Sequence, residues 1–142
     1  MERQTGPTIL IAAALIDDGA GRLLLVRKAG SRWFMQPGGK TEQDESALSA
    51  LRRELVEEIG LAITDQEVRH IGRFASVAAN ERNSMVDAEI FHVSVRHTPT
   101  TQSEIDEAVW VSPAVAMEMP LAPLTRDHIV PLFLSLQAGS NQ

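Results

Sequence analysis

The chain contains no cysteine and no tyrosine, and only 4% of its 142 residues are aromatic. The lack of cysteine excludes disulfides, thiolate metal sites, iron–sulfur clusters and cysteine nucleophiles. With so few aromatic side chains, we do not expect a stacking platform for single-stranded nucleic acid. The long apolar run, residues 9–16, is far shorter than the roughly 20 residues that a membrane-spanning helix needs. We therefore expect no membrane segment.

The apolar run at 9–16 leaves two interpretations open. Arg3 precedes it, so it also resembles the apolar core of a secretory signal peptide. Asp17 and Asp18 follow directly, without a clear small-residue cleavage site. A buried strand is therefore the favoured interpretation. Together with the lack of cysteine, which fits a reducing compartment, this predicts a cytoplasmic protein.

Composition and charge predict one globular domain over residues 1–142, with frayed ends at 1–6 and 139–142. The formal net charge of −6 opposes non-specific binding to nucleic acid or to anionic membranes. We expect neither as a stable partner, and a homodimer is left open. A small phosphorylated ligand remains compatible with this charge, because a divalent cation can reverse its sign locally.

The hydrophobic pattern alternates between strand and helix signals. We predict strands at 8–16, 22–27, 68–79, 85–97 and 107–112, with the first two forming a hairpin, and a short extended piece at 33–40. A helix over Ala47–Ile59 is capped by Ser46 and ended by Gly60. A proline-rich loop follows the last predicted strand. Thr125 then caps a last helix, 125–136, kinked at Pro131. This order predicts an α/β fold in which helices cover both faces of a mixed sheet.

The helix predicted at 47–59 carries an unusual set of charges. Its buried stripe is formed by Leu48, Leu51, Leu55 and Ile59. Glu54, Glu57 and Glu58 share one arc beside that stripe, where like charges three and four residues apart repel. A hard cation between the carboxylates would relieve this repulsion, and oxygen ligands favour magnesium or manganese. Taken on their own, the three glutamates favour a solvated acidic face over a metal site.

The residues around this helix decide between the two explanations. Gly38 and Gly39 form a flexible loop ahead of the helix, and Glu45 and Arg53 carry opposite charges along its first half. In order, the segment has Gly39, Glu45, Arg53-Glu54-Leu55, Glu57-Glu58 and Gly60-Leu61. It resembles the Nudix box, the signature of the Nudix hydrolases, at each specified position from Gly39 to Leu61.

The resemblance implies a fold, a reaction and a site. The fold would be an α/β/α sandwich around a mixed sheet, with the box as loop–helix–loop. Nudix hydrolases cleave a nucleoside diphosphate linked to another group, using magnesium or manganese. Glu54, Glu57 and Glu58 would be the metal ligands, with the Gly39 carbonyl as a further candidate. Arg53 would hold these carboxylates in place with Glu45 as its partner.

The general base stays open at this point. Glu57 or Glu54 can take a proton from water while lying on the helix. In some Nudix enzymes the base lies on a distant loop, and Glu104 and Glu107 are the candidates here.

Three residues outside the box are candidates for substrate contacts. Arg27 ends a predicted strand and is a candidate phosphate ligand, although a surface arginine is the simpler interpretation. Trp33 and Phe34 precede the glycine loop, where they could stack on a base or simply pack in the core.

We therefore expect a magnesium-dependent pyrophosphohydrolase that acts on a nucleotide or a nucleotide conjugate. A sanitising hydrolase of oxidised nucleoside triphosphates is an alternative within the family. A non-catalytic nucleotide-binding module and a structural protein with an acidic helix are alternatives outside catalysis. The complete set of box glutamates argues against both of these.

Overall fold

The computed structural model describes residues 7–81 and 83–140. Seven strands form one sheet: β1 (Thr8–Asp17), β2 (Leu23–Lys28), β3 (Phe34–Met35), β4 (Gly38–Lys40), β5 (Val68–Val77), β6 (Met85–Ser94) and β7 (Ile105–Val111). The α-helices are α1 (Ala47–Ile59), α2 (Pro113–Ala116) and α3 (Val130–Ser140). Short 3₁₀ and π turns lie at Asp65–Glu67 and Thr125–Ile129.

Strand β1 lies at the centre of the sheet. It pairs in parallel with β6 along its whole length and antiparallel with β4 at residues 11–13. The predicted hairpin with β2 is reduced to one register pair, Asp17 with Leu23, because β2 instead pairs along its length with β7. The sheet is therefore mixed, as the sequence predicts.

The apolar run at 9–16 lies in β1 and is fully buried at residues 12–16, while Leu10 is half exposed, so the favoured interpretation as a strand is confirmed. Alternate side chains of β1 enter two different cores, since successive residues of a strand point to opposite faces. Ala12, Ala14 and Ile16 pack in the core beneath α1. Ala13 and Leu15 pack in the opposite core, which α3 covers. Helices on both faces confirm the predicted α/β/α layers.

Helix α1 begins and ends where the sequence predicts. The Ser46 hydroxyl accepts from the Ser49 N–H at 3.1 Å, and Gly60 adopts a left-handed φ of 68°. That conformation suits glycine, and it lets Gly60 and Leu61 donate back to the last turn of the helix. These two caps fix which residues of α1 face the sheet.

The C-terminal region differs from its prediction. Pro113 opens the short helix α2, capped by the Ser112 hydroxyl, instead of lying in a loop. Thr125 is fully buried and does not cap a helix; its hydroxyl donates to Gln36 Oε1 at 2.7 Å. The turn before Pro131 is π-helical, which accommodates a residue without an N–H.

The predicted ends of the chain also change. Helix α3 runs through Ser140, so Gly139 and Ser140 are helical instead of frayed. Residues 1–6, 141 and 142 lie outside the described part of the chain. Within the described part, no helix is long and apolar enough to cross a membrane.

Candidate active site

Two glycines of β4 bring the backbone close to its neighbours. A Cβ on Gly38, whose φ is 145°, would lie 2.4 Å from the Ala12 carbonyl oxygen. A Cβ on Gly39 would lie 2.4 Å from the carboxyl carbon of Glu54. Separations under 3 Å are far below van der Waals contact for carbon. The Glu54 carboxylate therefore lies directly over the Gly39 backbone, in a space that only glycine leaves.

The three box glutamates differ strongly in exposure. Glu58 is only 3% exposed, and its Oε1 accepts from the Gly38 N–H at 3.1 Å. The Glu54 side chain is 17% exposed and that of Glu57 is 52% exposed. The three glutamates share one side of α1, but Glu58 lies at the edge of the core and Glu57 lies in solvent.

Burial raises the pKa of Glu58 to about 8. The negative charges of Glu54 and Glu104 act in the same direction, while the Gly38 N–H and the Lys28 ammonium oppose them. The protein alone therefore compensates the negative charge of the Glu58 carboxylate poorly. A bound cation would supply the missing positive charge.

This environment predicts a pH dependence of stability for the protein in excess chelator. The Glu58 pKa is raised from 4.5 to about 8, so its stabilising effect is full below pH 4.5 and is lost as the pH rises through this window. We expect the free energy of unfolding of the wild type to fall by a few kcal/mol between about pH 5 and 8, and we expect this fall to be absent in Glu58→Gln. Denaturant unfolding of both proteins across this range measures it, and parallel pH curves would contradict it.

Arg53 lies among four acidic side chains. Its Nε and Nη2 donate to the two carboxylate oxygens of Glu45, each at 3.0 Å, and Nη1 donates to Glu54 Oε2 at 2.8 Å. Nη2 also donates to the Lys40 carbonyl. These bonds raise the pKa of Arg53, and the guanidinium in turn lowers that of Glu45. Arg53 thus ties the start of α1, its middle and β4 together, and its pairing with Glu45 is present.

The donor set is suited to a hard divalent cation. Glu54, Glu57, Glu58 and the backbone of Gly39 offer only oxygen ligands. In residues 7–81 and 83–140, no three acidic or histidine side chains converge as a formed metal site. Glu54 is turned onto Arg53 in this conformation. The residues therefore fit the cation chemically, and Glu54 would exchange its contact with Arg53 for one with the metal.

A cleft opens beside the two glycines. It lies between the start of β1, the β2–β3 region and the segment that follows β5, and its polar lining consists of Lys28, Gln36, Lys40, Asn80 and Glu81. Ile9, Ile11 and Val86 contribute apolar walls. Gly38 and Gly39 line the cleft, and Glu54 and Glu58 lie against these two glycines without lining the cleft themselves.

The structure separates the candidate residues outside the box. Arg27 donates to Glu107 and Asp106, and Phe34 packs against the core that α3 covers. The Trp33 ring lies against the Arg32 guanidinium. None of these three predicted substrate contacts, Arg27, Trp33 and Phe34, lines the cleft. Of the two glutamates proposed as a distant base, Glu104 lies in the turn before β7, close enough to Glu58 to influence its charge, whereas Glu107 lies within β7 and is paired with Arg27.

Sequence reasoning missed Lys28 and Gln36. Strand alternation places Arg27 and Lys28 on opposite faces, so a signal for Lys28 was present in the β2 pattern. The register shift of β2 against β7 between these two residues could not be foreseen. Gln36 carried no signal, because its position depends on a hydrogen bond to Thr125, which is remote in sequence.

Glu54 and Glu58 lie against a glycine backbone that itself lines a cleft, and such carboxylates are suited to an enzyme that cleaves phosphate anhydrides with a divalent cation. Comparison with known proteins agrees with that class. The sequence matches the model of the NUDIX domain over residues 7–133, so the chain belongs to the Nudix hydrolase family. It is a pyrophosphohydrolase that acts on nucleotide-linked substrates, and enzymes of this family generally use divalent metals.

Individual relatives cover nearly the whole chain. The CTP pyrophosphohydrolase of Escherichia coli K12 is 37% identical, over 92% of this chain and 95% of its own length. The solution structure of the E. coli ORF135 protein has a TM-score of 0.72 and 31% identity, covering 93% of this chain and 92% of its own. The crystal structure of the MutT protein from Methanosarcina mazei has a TM-score of 0.74 and 27% identity, with coverages of 92% and 96%.

Proposed function

We propose that this protein is a cytoplasmic, magnesium- or manganese-dependent hydrolase of nucleoside triphosphates, with CTP as the first substrate to test. The observation that carries the proposal is the buried Glu58 carboxylate, which accepts from the Gly38 N–H and lies next to Glu54, while Gly38 itself lines an open cleft. The E. coli relative named for CTP, similar along almost its whole length, supports the choice of substrate.

Each group near the site has a distinct proposed role. Glu54, Glu57 and Glu58 hold the metal, with the Gly39 carbonyl as a further ligand. When bound, the divalent cation offsets the phosphate charge and makes water a better nucleophile. Lys28 lies in the cleft and is 35% exposed, so its ammonium can contact a phosphate oxygen. Lys28 thus takes the role of phosphate ligand for which Arg27 was the candidate in the sequence.

Proton removal from the attacking water needs a carboxylate that does not already accept a hydrogen bond from a cationic side chain. Glu57 is half exposed, and its carboxylate lies 3.8 Å from Arg53 Nη1. Glu104 is 68% exposed and 3.9 Å from the Lys28 ammonium. Glu57 and Glu104 are therefore the stronger base candidates, ahead of Glu54 and Glu107, whose carboxylates accept hydrogen bonds from Arg53 and Arg27.

A substrate panel tests the proposal. Purified protein is assayed with CTP, UTP, GTP, ATP, an oxidised purine triphosphate, a nucleotide sugar and ADP-ribose, each with magnesium or manganese. We expect release of nucleoside monophosphate from at least the triphosphates, and loss of turnover in excess chelator that fresh metal restores. A strong preference for the oxidised triphosphate would make the protein a sanitising hydrolase. No turnover with any substrate, but measurable binding, would make it a non-catalytic module.

We expect Arg53→Lys to lower turnover and to weaken activation by metal together. Lysine keeps the charge but lacks the fork that bonds both oxygens of Glu45 and also Glu54. Titration of activity against magnesium at saturating substrate measures the effect, and Glu45→Gln should show a milder version. Arg52→Lys is the matched control, because within the described residues Arg52 pairs only with the exposed Asp65. A rise in the Michaelis constant alone would instead assign Arg53 to substrate binding.

A further inference from the structure

Two side-chain amides line the cleft, and a hydroxyl group holds each of them on its carbonyl side. The Thr125 hydroxyl donates to Gln36 Oε1 at 2.7 Å. The Ser31 hydroxyl donates to Asn80 Oδ1 at 3.0 Å. Ser31 Oγ itself accepts from the Trp33 N–H at 3.1 Å, which leaves its hydrogen for Asn80. In both amides, the acceptor atom is therefore occupied within the protein.

The NH₂ groups of these amides are the atoms left for a ligand. Neither Gln36 Nε2 nor Asn80 Nδ2 bonds to another group in the described residues. No buried side-chain nitrogen or oxygen in that part of the chain lacks a partner. Gln36 is only 6% exposed, and it lines the cleft. The small exposed part of its side chain therefore faces the cleft, and this is where Nε2 meets solvent.

The other polar side chains of the cleft also favour a ligand that accepts hydrogen bonds. Lys28 and Lys40 contribute ammonium donors to the lining. Glu81, which lines the cleft as well, has its carboxylate 3.2 Å from the Lys40 ammonium. The side chains that line the cleft thus offer ammonium and NH₂ donors, and each of their carbonyl or carboxylate groups already has one partner. A ligand group that also donates would face a donor and lose a hydrogen bond on leaving water.

We propose that Gln36 and Asn80, fixed by Thr125 and Ser31, select nucleotides whose base offers two neighbouring acceptors. Cytosine offers O2 and N3, and guanine offers O6 and N7. Uracil places an N–H donor between its two carbonyls, and adenine places an amino donor beside N7. This inference rests on the proposed hydrolysis of nucleoside triphosphates and names the bases that this activity prefers. Gln36 would be a specificity-determining residue, and Thr125 a positioning residue that acts through it.

The test compares kcat/KM for CTP, GTP, UTP and ATP across three variants. Gln36→Glu replaces the donor by an acceptor, Thr125→Val removes the hydroxyl at nearly constant shape, and Thr125→Ser retains it. We expect the wild type to prefer CTP and GTP, and Gln36→Glu to reduce this preference about tenfold or more, mainly through KM. The readout is a ratio between bases, because the added charge of Gln36→Glu repels all four triphosphates alike.

Thr125→Val should reduce the preference and Thr125→Ser should restore it, because the valine leaves the Gln36 amide free to rotate. Thermal unfolding verifies that each variant is folded. Unchanged base ratios in both Gln36→Glu and Thr125→Val would overturn the inference while leaving the proposed function intact. If the wild type hydrolyses no triphosphate, the proposed function fails separately. Calorimetric binding of CMP, GMP, UMP and AMP then tests the base preference, and equal affinities would overturn it.

Discussion

Glu57→Gln is expected to lower turnover of the best substrate by at least about a hundredfold, the scale of losing a group that positions a metal or moves a proton. The substitution keeps the size of the side chain and removes only its charge. Folding should survive, because the Glu57 side chain is 52% exposed and lies next to two other glutamates on α1. Steady-state kinetics with saturating metal, together with a thermal melt, measure both expectations.

The control for Glu57→Gln is another glutamate on the same side of the molecule. Glu42 lies ahead of α1 with its side chain 70% exposed and 3.9 Å from Arg53 Nη1. Glu42→Gln should keep turnover within about twofold, because this surface pair is weak. Wild-type turnover in Glu57→Gln would show that the box glutamates do not form the active site.

Gly39→Ala is expected to lose activity, whereas Gly38→Ala is expected to lose stability. At Gly39 the new Cβ meets the end of the Glu54 side chain, which can swing aside. Turnover should fall by roughly tenfold to a hundredfold, because a small displacement of a reacting group is costly, while stability changes little. At Gly38 the new Cβ meets the backbone of Ala12 and Ala13, which cannot move without breaking the sheet. Stability should fall by about 3 kcal/mol or more.

Gly72→Ala is the matched control for both glycine variants. It also lies in the sheet, and its Cβ would meet only the Phe74 ring, at 3.7 Å. Urea unfolding and kinetics on the three variants separate loss of stability from loss of activity. Equal losses of stability in Gly39→Ala and Gly38→Ala would show that Gly39 is needed for folding instead of for placing Glu54.

The sequence was most informative where local rules and the core agree. Ser46, the apolar stripe of α1 and Gly60 specify the helix from neighbouring residues alone, and its boundaries match the prediction. The apolar run at 9–16 specifies a strand whose residues 12–16 are buried on both faces, because both residue sets of its alternation are hydrophobic. The box could be placed on this helix because its spacing is local as well.

The sequence was least informative where remote parts of the chain meet. Pairing of β2 with β7 joins residues about eighty positions apart, and no local pattern distinguishes it from the expected hairpin with β1. The same holds for Thr125, whose hydroxyl suggests a helix cap and instead reaches Gln36 across the core. The difference in burial among the box glutamates likewise follows from the contact of Glu58 with β4, which only the folded chain establishes.

The central position of β1 has a consequence for how the protein moves. Its backbone is paired with β6, β4 and β2, and residues 12–16 are buried on both faces, so the amides of these residues should exchange with solvent only through global unfolding. Across the cleft, the Lys40 ammonium lies 3.2 Å from the Glu81 carboxylate, and both side chains are exposed. Such a pair breaks at little cost, so the two side chains can separate locally. A ligand can therefore enter between Lys40 and Glu81 while Gly38 and Gly39 stay fixed to β1.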